Sequence, residues 1–70
     1  MQIELRGIVQ FYDGGHKNVD VVVDDGEHVA AVTHRVGVDI KVNRGKILTF
    51  LSAIYGIAPG KIGWPEHIQV

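Results

Sequence analysis

Few residues in this chain can do covalent chemistry. There is no cysteine, and Ser52 is the single serine. Ser52 lies in an apolar segment, Phe50-Leu51-Ser52-Ala53-Ile54, without the Gly-x-Ser-x-Gly turn that exposes a nucleophile. With no thiol, nucleophilic catalysis has few other candidates. Asp13 and His16 are an acid–base pair by type, but they stand on a Gly-rich turn with no pocket in view. The histidines His16, His28, His34 and His67 show no spacing of three or four residues. That spacing would place two ligands on one helix face, so no metal centre is expected. The reading is a non-enzyme without cofactor. The missing cysteines also exclude a disulfide-stapled scaffold and a thiolate zinc site.

Non-covalent chemistry is better supplied. His16 offers a flat ring for base stacking. Asn18 offers a donor and an acceptor for a base edge. Arg44 offers a planar guanidinium that stacks or holds phosphate. Tyr12 and Lys17 flank the same turn and can add a ring and a charge, and Lys61 and Trp64 can add contacts. Trp64, between Gly63 and Pro65, is read first as a lid over the core. Asp13 can accept hydrogen bonds across the turn and hold its shape.

These residues need elements to position them. Ile3, Leu5, Val9 and Phe11 alternate with polar residues, the pattern of a strand with one buried face. Gly7 marks a bend in it. Asp13-Gly14-Gly15 is a turn, and Val19–Val23 a second strand ended by Asp24-Asp25-Gly26. Residues 28–35 read as a third strand. Val36, Val38, Ile40 and Val42 alternate as a fourth. Ile47, Phe50, Leu51, Ile54 and Tyr55 then recur at helical spacing, predicting a helix over 46–55. Asn43 is its N-cap, Gly56 its stop, and Pro59 follows. Residues 58–65 read as irregular, and 67–70 as a short closing strand. The expected fold is mainly β: one domain over residues 1–70, a small strongly bent sheet or SH3-like barrel with one short helix.

The motif spacing resembles that of the Sm/LSm family of RNA-binding proteins over roughly residues 3–52. Gly7 in a bent strand precedes Asp13 by six residues, and a short loop ends in Asn18. Arg44-Gly45 precedes Leu48 and Leu51 by three and six residues, counted from the glycine. The resemblance implies a homo-oligomeric ring whose His16, Asn18 and Arg44 line an RNA site, with Asp13 orienting the loop. The chain departs from the family in five ways, the first being that the family's N-terminal helix and first strand are not expected in the six residues before Gly7. The loop is one residue longer, Asn43 stands where the family has an apolar residue, a helix replaces the last strand, and 56–70 has no counterpart.

Composition fits such a reading. A domain of 70 residues buries only about 60% of its unfolded surface, yet 46% of these residues are hydrophobic. Apolar surface shared between copies would relieve that deficit. Residues 1–33 carry two cations against six acids, and 34–70 five against two, so a net charge of −1 hides two opposite halves. The split suits association between copies, with cations left for a polyanion, either RNA or DNA. No apolar run reaches the roughly 18 residues of a membrane span, and no signal peptide is expected, so the reading is cytoplasmic. A helix-turn-helix around Gly56 would have to run through Pro59, Gly60, Gly63 and Pro65, at about 3 kcal/mol per proline. The rival reading is a small protein-interaction module with no nucleic-acid role.

Overall fold

The computed structural model describes residues 2–70. Its mainly β architecture agrees with the expectation: a strongly curled four-stranded sheet, a half-barrel, closed on one side by one helix. Strands β1 (Ile3–Asp13) and β2 (His16–Asp24) form an antiparallel hairpin. The loop between them is Gly14-Gly15, with φ of 61° and 82°. Two consecutive positive φ values make the turn whose twist matches its strands, and glycine takes them without strain. β3 (Val32–Val38) adds antiparallel to β2. Helix α1 (Arg44–Tyr55) follows, then a single 3-10 turn at Pro59–Lys61. The two-residue β4 (Ile62–Gly63) lies parallel to the start of β1, giving the order β3-β2-β1-β4.

Two irregularities bend the sheet. The β1–β2 register shifts between Leu5 and Gly7, leaving Arg6 as an extra residue. The β2–β3 register shifts between Val19 and Asp20, opposite Val36. Such bulges increase local twist. Gly7 therefore sits beside the bend rather than making it: a Cβ there would meet nothing within 4 Å.

The buried face expected for β1 holds only at Ile3 and Leu5: past the bulge at Arg6, Val9 and Phe11 turn to solvent and Ile8 packs on the core instead. Leu5, Val19, Val21, Val23, Ile47 and Leu51 are fully buried, joined by Ile3 and Ile62. Each large side chain contributes about 1.5–3 kcal/mol by leaving water. Trp64 packs against this cluster, and its indole N–H donates to the Ile68 carbonyl at 2.9 Å, so it is the lid.

The helix keeps its expected limits to within two residues. The Asn43 side chain accepts from the Lys46 N–H at 2.8 Å. Gly56 closes the other end at φ 68°, its N–H donating to the Ser52 carbonyl. The strands after β2 do not keep theirs. The expected pair 28–35 and 36–42 is one strand, Val32–Val38. Asp25 takes the chain out of β2: its Oδ1 accepts from the N–H of Glu27 and His28, which organises a loop where the third strand was expected. Asp39, at φ 54°, ends β3. Ile40 then folds back over Gly37, where a Cβ would lie 3.1 Å from its side chain. The alternation through Val42 is thus apolar packing of a connection, not a ladder. The closing strand is also misplaced: β4 falls at Ile62–Gly63, and 67–70 form none.

Candidate nucleic-acid interface

Two places carry the residues singled out in the sequence. The first is the tip of the β1–β2 hairpin. Tyr12 sits opposite Lys17 and Asp13 opposite His16. Tyr12 is 76% exposed, its ring free in solvent. Asp39, not Asp13, fixes this tip. One Asp39 oxygen accepts from the Lys17 N–H at 2.8 Å, the other lies 2.6 Å from His16 Nδ1. Its own N–H donates to the Lys17 carbonyl at 2.7 Å. The His16 hydrogen bond first and the Lys17 N–H second hold the Asp39 carboxyl below the usual carboxylate range. Asp13 is exposed and enters no side-chain hydrogen bond among the described residues.

Asn18 is not presented to a ligand. It is 6% exposed, and both ends of its amide are occupied. Nδ2 donates to the His16 carbonyl at 3.1 Å, and Oδ1 accepts from Arg35 Nη1 at 2.8 Å. Arg35 in turn pairs with Asp20 and lies over the Phe11 ring, 5.5 Å from its centroid. Asn18 is therefore a structural residue that ties β2 to β3.

The second place is the start of α1. Arg44 is its first residue, exposed, with the guanidinium 5.0 Å from the Trp64 ring centroid. Gly45 follows in the first turn; a Cβ there would meet only the Asn43 side chain, at an ordinary 3.5 Å. Arg44 and Trp64 line an open groove together with Pro65, Glu66, Ile68 and Gln69. No hydrogen bond, ion pair or ring contact links Arg44 to His16 or Asn18 among the described residues.

The ion pairs reveal what the sequence did not. Arg6 is held by Glu4 and Asp24, Arg35 by Asp20, His16 by Asp39 and His28 by Asp25. Two of the seven Lys and Arg are thereby compensated, and Lys17, Lys41, Arg44, Lys46 and Lys61 have no carboxylate partner among the described residues. Of the eight acids, Asp13, Glu27 and Glu66 are left. Three of the five free cations, Lys41, Arg44 and Lys46, fall at the start of the helix that also carries the Trp64-backed arginine, whereas Lys61 lines a hollow with Glu4, Arg6 and Asp24. Among the described residues no three His, Asp or Glu gather as metal ligands. The Ser52 hydroxyl is buried without a hydrogen-bond partner among the described residues. No described helix is long and apolar enough to cross a membrane.

Comparison with protein-family models, with curated proteins and with solved structures finds no match to this chain in any of the three.

Proposed function

We propose that this chain is a non-catalytic module that binds single-stranded RNA and acts as a homo-oligomer in the cytoplasm. The observation that carries the reading is the set of uncompensated cations around α1, beside an arginine stacked on a tryptophan. Charges already paired within the chain give little to a polyanion; free ones release counterions when phosphate binds. Planar groups supply the sequence-tolerant part of the affinity by stacking on bases, and Arg44, Trp64, Tyr12 and His16 are of that kind. The Sm-like motif spacing supports the same partner with altered roles. Arg44, Lys17, Tyr12 and His16 keep contact roles, whereas Asn18 becomes a support and Asp39 takes the orienting part given to Asp13.

Fluorescence anisotropy with labelled oligo-U and oligo-A tests the reading. Arg44→Ala and Tyr12→Ala weaken binding while leaving the fold intact by circular dichroism. The absence of salt-sensitive binding by the unaltered chain to any RNA or DNA oligomer refutes it. A protein-interaction role has its own support in Val9, Phe11 and Val38, which are 44%, 38% and 46% exposed. Apolar docking of that kind changes little with salt, which separates the two readings.

A further inference from the structure

The sheet leaves two strand edges open, and they differ in kind. β3 is one end of the sheet. It carries a bulge at Val36, the paired Arg35 and Gly37 packed on Ile40. Bulges and charges are the devices that blunt an edge against further pairing. The other edge belongs to β1. β4 covers it only at Ile3 and Glu4, so Gly7–Asp13 have β2 on one side and nothing on the other. That stretch, Gly-Ile-Val-Gln-Phe-Tyr-Asp, pairs with no second strand among the described residues and has no bulge, no proline and no charge before Asp13.

The hairpin loop determines which backbone groups face outward. Asp13 and His16 flank a two-residue loop, so they form a hydrogen-bonded pair. Pairs alternate along an antiparallel ladder. Phe11, Val9 and Gly7 therefore point their N–H and C=O at β2, and Tyr12, Gln10 and Ile8 point theirs at the open edge. No backbone or side-chain partner within the chain takes these groups among the described residues.

We propose that a second copy of this chain covers that edge, β1 against β1 in antiparallel register about a twofold axis at Gln10. The register is self-complementary. Gln10 faces Gln10 of the other copy, and Ile8 faces Tyr12 in both directions, which satisfies every outward N–H and C=O. Val9 of one copy then lies opposite Phe11 of the other, joining two exposed apolar side chains on one face. Asp13, which has no ion-pair partner among the described residues of its own chain, comes opposite Gly7 of the second copy, next to Arg6. The contact is isologous and closes at two copies, whereas a ring needs unlike edges and would have to use the blunted β3. The proposal is independent of the nucleic-acid reading: either can fail alone.

The cysteine-free sequence permits a direct test. In a hydrogen-bonded antiparallel pair the Cα atoms lie about 5.5 Å apart, within disulfide reach. Gln10→Cys, an exposed position, is expected to form a covalent dimer under mild oxidation, whereas Thr49→Cys on the exposed helix surface does not. Light scattering of the unaltered chain is expected to rise with concentration from 7.7 kDa toward twice that mass. Gln10→Pro removes an outward N–H from each copy without touching the β1–β2 ladder, and weakens dimerisation about thirtyfold. A chain that stays at 7.7 kDa at all concentrations overturns the proposal. So does Gln10→Cys that oxidises no faster than Thr49→Cys, or a closed assembly of five to eight copies.

Discussion

At the scale of single residues, the chain spends its acids on shape. Asp24, Asp25 and Asp39 are all held below the ordinary carboxylate range. The causes are the Gly26 N–H followed by Arg6, the N–H groups of Glu27 and His28, and His16 followed by the Lys17 N–H. Because these groups release protons more readily folded than unfolded, the unfolded chain binds more protons as pH falls. Their contribution is complete above the unfolded carboxylate value of about 3.9 and is lost as pH drops through and below it. The melting temperature should therefore hold down to about pH 5 and fall steeply below about pH 4, with Asp39→Asn flattening part of that fall. A melting temperature that stays unchanged as pH drops below about 4 would contradict these roles. Asn18 makes the sharper contrast with the sequence reading. Asn18→Ala leaves the His16 carbonyl and an Arg35 N–H without their buried partner and should cost about 1–3 kcal/mol in urea unfolding. RNA affinity should stay within about twofold below the melting transition, since that side chain faces no ligand. A base-reading Asn18 would give the opposite pattern.

At the scale of elements, legibility followed local chemistry. Asn43, the helical spacing from Ile47 to Tyr55 and Gly56 made α1 readable, because a cap, an apolar stripe and a left-handed stop are all local signals. The hairpin was readable for the same reason: Asp-Gly-Gly can take the turn whatever the rest of the chain does. What failed was the stretch from Asp25 to Val42. There, alternation of valines with polar residues looks the same whether it lines a strand or a connection that folds back. The decisive facts are tertiary, namely Asp39 bridging to His16 and Lys17, and Ile40 resting on Gly37. The same holds for the site. Arg44, His16 and Tyr12 were identifiable by type, but the engagement of Asn18 depends on Arg35, itself paired with Asp20, which no motif flagged. The cap has a measurable consequence: Asn43→Ala should destabilise the chain by about 1 kcal/mol. Because Arg44 starts the capped turn, the same change should also lower RNA affinity. A cap mutant of full stability would remove Asn43 from this account.

At the scale of the whole molecule, the feature that matters is how charge is distributed after folding. A chain of net charge −1 would not be expected to attract RNA. Folding changes this, because Arg6 and Arg35 are neutralised by three acids near the hairpin, while the cations of residues 41–61 stay free. Part of the apolar excess that first suggested shared surface lies at Val9 and Phe11 on an uncovered strand, with Val29, Val38 and Ile54 exposed elsewhere. In the proposed reading the free cations gather at α1 while Tyr12 belongs both to the hairpin contact and to the β1 edge, and a dimer would offer two cationic surfaces to one strand and gain from their linkage.

The central claim is that uncompensated cations around α1 bind the RNA backbone. It is tested most directly by the slope of log affinity against log salt for labelled oligo-U, measured side by side for the unaltered chain and Arg44→Ala. Three phosphate contacts, from Lys41, Arg44 and Lys46, predict a slope of about −2 for single strands, reduced in magnitude by about 0.7 on loss of Arg44. A slope near zero, or one that Arg44→Ala leaves unchanged, would contradict the claim.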